Sequence, residues 1–181
     1  MDQKKGLMPI VLLLIICTAL SLWVWKTVPA QSEAEGTPAE MELELELEQF
    51  DLQLLLAEGK PVLIDISSDS CPYCVIMEPE LAEAYRRNKE TAVIRVLNVD
   101  EQLEAAIQLQ TQIPVQFRAT PMQIFINGDG TPYQPSEAVL NQIAFLYYRE
   151  KGTERHLSTV HEGMLTAEQM TLILQDMERA L

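Results

Sequence analysis

The stretch from Pro61 to Pro79 restricts the fold of this chain more than any other. It opens with Val62-Leu63-Ile64-Asp65-Ile66, a short apolar run rich in β-branched residues, as in a strand covered on both faces. Ser67 to Ser70 is polar and leaves room for a short loop. Cys71-Pro72-Tyr73-Cys74 then starts a helix. Asp69 or Ser70 is expected to cap it, and Pro72 suits a first turn, where a missing N–H costs nothing. Spaced three apart on a helix, Cys71 and Cys74 lie one turn from each other, close enough to bridge. Cys71 falls where unpaired backbone N–H groups and the helix dipole stabilise an anion, and a cysteine attacks as its thiolate. Cys74 lies deeper, as suits a resolving thiol. The spacing predicts a dithiol–disulfide exchange site.

This arrangement resembles the thioredoxin superfamily, and the resemblance extends beyond the cysteines. Asp65, six residues before Cys71, matches the buried acid with which that family moves the proton of the second cysteine. Pro79, five after Cys74, matches its helix-kinking proline. Leu97-Asn98-Val99-Asp100 resembles the end of the next strand, and Arg118-Ala119-Thr120-Pro121 the loop with a cis-proline opposite the active site. Cys-Pro-Tyr-Cys is similar to the glutaredoxin tetrapeptide, while the framework around it is similar to thioredoxins and periplasmic disulfide-exchange proteins.

The resemblance implies a thioredoxin-like three-layer α/β fold, a central mixed sheet flanked by helices, over roughly 41–130 and 157–181. It implies Cys71 and Cys74 as the redox pair, Asp65 as general base, and Pro72 and Tyr73 as residues that tune the redox poise. Thr120 and Pro121 would hold an extended partner segment by strand addition. Two positions depart from the pattern: Ser70 stands where thioredoxins carry Trp, and Val96 where many carry lysine.

Residues 1–28 read as a cytoplasmic tip and a transmembrane signal anchor. Leu7 to Trp25 has Thr18 and Ser21 as its sole polar members, and at about 1.5 Å per residue it just spans a hydrocarbon core of about 30 Å. Trp23 and Trp25 sit at the far end, where aromatic rings favour the interface. Lys4 and Lys5 precede the segment and Lys26 follows it, which places the N-terminus inside and the domain outside. The expected location is a bacterial inner membrane, crossed once, with the domain in the periplasm. A cleaved signal ending at Val28-Pro29-Ala30, leaving a soluble periplasmic protein, is the alternative. Cys17 lies inside the apolar segment and reads as a small apolar residue.

Residues 29–40 are small, polar and acidic, a flexible linker. The domain follows over 41–181, with an insertion at about 131–156. Met41 to Glu48 alternates at the period of a half-buried strand, and Gln49 to Glu58 reads as an amphipathic helix stopped by Gly59 and Pro61. The redox helix runs to Asn88, bent at Pro79. Thr91 to Val99 reads as a second buried strand parallel to the first, and Asp100 as the cap of a helix over 101–112 whose Leu103 and Ile107 face the core. Met122 to Ile126 is a strand closed by the turn Asn127 to Gly130. In the insertion, Ser136 to Lys151 is assigned to a helix, although Ile143 to Tyr148 is equally strand-prone. Leu157 to Glu162 is the last strand, and Thr166-x-x-Gln169 opens the last helix with a capping box.

A net charge of −14 opposes binding to nucleic acid and to anionic headgroups. Three cysteines, one of them in the apolar segment, leave a single functional pair and no disulfide scaffold. Structural zinc needs four ligands, and His156 and His161 lie far along the chain, so neither a metal nor another cofactor is expected. The chain thus reads as a thiol–disulfide oxidoreductase for extracytoplasmic protein thiols and disulfides, with a membrane redox partner and a modest preference for the reductase direction. The alternative from another class is a chaperone-like or Cu(I)-carrying assembly module. A glutathione-dependent activity rests on Cys-Pro-Tyr-Cys alone and fits an outward-facing domain poorly.

Overall fold

The computed structural model describes residues 45–179. The expected anchor over 7–25, Cys17 and the linker over 29–40 lie outside the described residues. Among the described residues no helix is long and apolar enough to cross a membrane.

Five strands form one mixed sheet. β1 (Val62–Ser67) runs parallel to β2 (Val93–Asn98), with Asp65 opposite Val96, and antiparallel to β3 (Met122–Ile126), with Asp65 opposite Gln123. The parallel pair is the expected one. β5 (His156–Glu162) lies antiparallel to β3, and β4 (Leu146–Arg149) antiparallel to β5, giving the order β2-β1-β3-β5-β4. Both faces of β1 and β3 are covered, as their near-continuous apolar composition requires. Over one face lie the redox helix α2 (Pro72–Asn88) and the last helix α5 (Ala167–Arg179), whose Leu81, Ala84, Met170, Ile173 and Met177 pack on Leu63 and Phe125. Over the other lies α3 (Leu103–Gln112), with Ala105, Ala106 and Leu109 against Ile64, Ile66, Met122 and Ile124. This is the α/β architecture expected.

Before β1, Leu45 and Leu47 are buried, Glu46 and Glu48 are exposed, and Glu46 bridges in parallel to Val96 at the sheet edge. The described part of the 41–48 alternation is therefore half-buried, as its period predicts. The helix expected over 49–58 contracts to α1 (Leu52–Leu55), because Asp51 starts it by accepting from the N–H groups of Gln53 and Leu54. Gly59, at φ 66°, lies just beyond its end.

Three local expectations fail for identifiable reasons. Leu103 and Ile107 are 65% and 57% exposed, because the apolar stripe of α3 follows Ala105, Ala106 and Leu109 around the opposite side of the helix. The helix assigned to 136–151 is instead a single turn, α4 (Glu137–Leu140), followed by strand β4. Here the strand propensity of Leu146, Tyr147 and Tyr148 prevails, since β5 offers them a free edge. Asp100 does not cap α3, whose N-cap residue is Gln102 without a side-chain capping bond. The capping box of α5 forms as read: Gln169 Oε1 accepts from Thr166 N–H at 2.9 Å, and Thr166 Oγ1 from Gln169 N–H at 3.2 Å.

Candidate active site

The site lies where β1 hands over to α2. Asp69 and Ser70 do not cap α2. The N-cap is Cys71 itself, extended at φ −95° and ψ 104°, with its Sγ accepting from the Cys74 N–H at 3.2 Å. A capping sulfur receives a donor from the helix start, which favours its anionic form. Pro72 occupies the first turn as expected. The loop before Cys71 is held from the side by the end of β2. Asp100 Oδ2 accepts from Ser68 Oγ at 2.7 Å and from Asp69 N–H at 2.9 Å, while Asn98 Nδ2 donates to Asp69 Oδ1 at 2.6 Å. These hydrogen bonds define what the residue types alone left ambiguous, namely which polar residue caps and which one braces.

Both thiols are free and nearly buried, Cys71 at 7% exposure and Cys74 at 6%. Burial works against a Cys71 thiolate, but hydrogen bonds from Cys74 and Thr120 and from the backbone at Cys74 and Tyr73 outweigh it, holding the Cys71 thiol below its ordinary range. Cys74 moves the opposite way. Burial, and then the neighbouring Cys71 sulfur, push it up to about 12. One thiol is thus ready to ionise while its neighbour keeps its proton.

Across from the pair, the Thr120–Pro121 peptide is cis, as expected, and the Cys71 thiol donates to the Thr120 carbonyl at 3.2 Å. The backbone of Thr120 therefore lies directly beside the reactive sulfur. Tyr73, 62% exposed, stands on the rim.

Asp65 is 2% exposed, beneath α2 in the middle of the sheet. Burial, opposed by a hydrogen bond from Gln123, raises its carboxyl to about 7. Gln123 Nε2 donates to Asp65 Oδ1 at 2.8 Å and points also at Met77 Sδ at 3.6 Å. A cavity of about 640 Å³ is lined by both Asp65 and Cys74, together with Met77, Pro79 and Val96. Val96 offers no charge here, and there is no cation among the described residues that line this space. The site residues read from the sequence, Asp65, Cys71, Pro72, Tyr73, Cys74, Thr120 and Pro121, converge on one end of the sheet. Gln123 and the Ser68–Asp100 brace were not anticipated. Gln123 was legible as the one polar residue in the run Met122 to Ile126, whereas the brace joins residues distant in sequence and left no pattern.

Among the described residues no group of three or more histidines, cysteines or acids is placed to hold a metal.

The chain is similar to several known proteins. Thioredoxin-T of Drosophila melanogaster is 33% identical over 78 residues, 43% of this chain and 46% of that protein, so the chain spans just under half the length of this relative. An uncharacterised thioredoxin-like protein from Clostridium perfringens is 19% identical with a TM-score of 0.47, covering 81% of this chain and 90% of the other. The thioredoxin Mala s 13 of Malassezia sympodialis is 16% identical with a TM-score of 0.45, covering 73% and 89%. The thioredoxin-like domain family model matches residues 49–142, more than half of the chain, and that span holds both cysteines, Asp65 and the Thr120–Pro121 loop. The chain belongs to the thioredoxin-like domain family.

Proposed function

We propose that this chain is a thiol–disulfide oxidoreductase whose Cys71–Cys74 pair exchanges with protein thiols and disulfides. The observation that carries the reading is the asymmetry of the pair. Cys71 caps a helix and leans toward its thiolate, while Cys74 behind it is held protonated.

In the reductive direction, the Cys71 thiolate attacks one sulfur of a partner disulfide. That S–S bond breaks, a mixed disulfide forms, and the partner's other sulfur leaves as a thiolate that takes up a proton. Cys74 then gives its proton to Asp65 and attacks Cys71 Sγ. The mixed disulfide breaks, the Cys71–Cys74 disulfide forms, and the partner's second sulfur leaves as a thiolate that takes up a proton from solvent, so the partner departs as a dithiol carrying two electrons from the pair. Thr120, with its carbonyl 3.2 Å from Cys71 Sγ, holds the partner backbone in register during the attack. Pro72 and Tyr73 set the poise of the pair from its rim.

The apolar segment over 7–25 and the lysines before it support an anchor, with the domain facing an extracytoplasmic space such as a periplasm. We favour the reductase direction, in which a membrane partner returns electrons to the pair.

The test is the Cys74→Ala variant of the full chain. It leaves Cys71 able to attack and unable to be released, so mixed disulfides with partner proteins should accumulate. They should vanish on thiol reduction and in Cys71→Ser. Absence of covalent complexes with Cys71 intact and reactive would exclude disulfide exchange as the role of the site.

A further inference from the structure

Gln123 is fully buried, and its side-chain oxygen has no hydrogen-bond partner, although both amide hydrogens have acceptors in Asp65 Oδ1 and Met77 Sδ. An unmade buried acceptor destabilises a fold, so a second state of the site in which that oxygen meets a donor would account for its presence. The chemistry of the amide supplies one. A half-turn about its terminal torsion exchanges N–H donors for an oxygen acceptor in nearly the same place. Facing a carboxylate, the amide donates. Facing a protonated carboxyl, the turned amide accepts from the O–H. A lysine ammonium has donors alone and can serve only the ionised state.

Register makes this pairing obligatory rather than incidental. Gln123 stands directly opposite Asp65 on the neighbouring strand, on the same face of the sheet under α2. On the other flank of Asp65 the residue in register is Val96, which offers no polar group. We propose that Gln123 is a positioning residue for Asp65, its amide turning over as the carboxyl gains or loses the proton exchanged with Cys74. The carboxyl thereby keeps one orientation toward the cavity it shares with Cys74 in both protonation states.

The titratable groups around Asp65 are few. Cys74 and Glu78 approach from α2, and Asp69, Glu101 and Glu46 line the same cavity, the four carboxylates being exposed. His161 lies in register beyond Gln123 and is engaged through Nδ1 with the Ala144 carbonyl at 2.8 Å. None of these hydrogen-bonds the carboxyl, which leaves Gln123 as the group matched to it.

This inference rests on the redox reading above. Its test is two measurements on the full chain. In the first, release of thionitrobenzoate from the aromatic disulfide DTNB is followed by stopped flow across pH. An early bimolecular phase reports attack by Cys71, and a later unimolecular phase reports resolution by Cys74. Gln123→Met keeps the volume and removes the amide. The early phase should be unchanged, while the late phase at pH 7 slows roughly tenfold and its pH midpoint rises by about one unit, since the ionised Asp65 has lost its donor. In the second, the side-chain amide resonances of ¹⁵N-labelled Gln123 in the unmutated protein should titrate with the midpoint of Asp65, and should stop doing so in Asp65→Asn. A late phase with an unshifted pH profile in Gln123→Met, or Gln123 resonances flat through the Asp65 titration, overturns the inference. Loss of the early phase from the unmutated chain would instead overturn the redox reading. Should Gln123→Met fail to fold, the resonance titration decides alone.

Discussion

At the scale of single residues, three protons are held differently within one turn of helix and one strand. Alkylation followed by mass spectrometry should show Cys71 reacting with a midpoint below the usual thiol value of about 8.5, with Cys74 silent until strongly alkaline pH. Asp65 makes a separate prediction about stability. Below about pH 4 the folded and unfolded chains both hold its proton. Between about pH 4 and 7 the unfolded chain releases the proton while the folded chain retains it, because the buried carboxyl has moved from 3.8 to about 7. Stability therefore falls across that window, and the loss is complete above it. Reduced Asp65→Asn should match the unmutated protein near pH 4 and exceed it by on the order of 4 kcal/mol at pH 8, measured by urea unfolding. A variant no more stable at pH 8 than at pH 4, relative to the parent, would mean that Asp65 is ionised in the fold at neutral pH.

At the scale of elements, the parts that carry the site were legible because their patterns are local. β1, α2 and β3 each announce themselves in a few consecutive residues: a β-branched run, a CxxC with Pro72 in the first turn, and a strand entered through Thr120–Pro121. What escaped depends on partners remote in sequence. Ile143 to Tyr148 has no decisive periodicity, and the strand state of Leu146 to Tyr148 exists because β5 leaves an edge for it. Asp100 looks like a helix cap from sequence, yet its carboxylate is taken by Ser68 and Asp69, roughly thirty residues earlier. Asp100→Ala should accordingly loosen the loop before Cys71, raising hydrogen exchange of the Asp69 amide by roughly tenfold with little change in the strands. Unchanged exchange at Asp69 would show that the loop holds its shape without the brace. A different constraint joins two turns: a Cβ on Gly128 would stand 1.9 Å from the Gly59 carbonyl oxygen. Backbone cannot yield as a flexible side chain would, so Gly128→Ala should lower stability by about 2 kcal/mol or more.

At the scale of the domain, residues 131–156 complete a face of the core, with Tyr133, Val139 and Ile143 buried in it. Tyr133 is buried in edge-to-face contact with Phe125 and Phe145, and its hydroxyl donates to Asp176 of α5 at 2.7 Å. Asp176 accepts also from Ser136 N–H at 2.9 Å, so one carboxylate ties the segment from Tyr133 to Ser136 to the last helix. Tyr133→Phe should cost about 1–2 kcal/mol in thermal or denaturant unfolding and leave the rate of Cys71 attack unchanged, because Tyr133 packs on Phe125, at the end of β3 remote from the Thr120–Pro121 loop. The central claim, however, concerns electrons. The most direct measurement equilibrates the full chain in a graded series of thiol redox buffers, followed by alkylation and mass spectrometry of Cys71 and Cys74. Exchange chemistry at the pair predicts one two-electron transition in which both cysteines change together, with a midpoint nearer the thioredoxin value of about −270 mV than the strongly oxidising value of about −120 mV. Two cysteines that stay as thiols throughout the series, or that modify independently of each other, would contradict it.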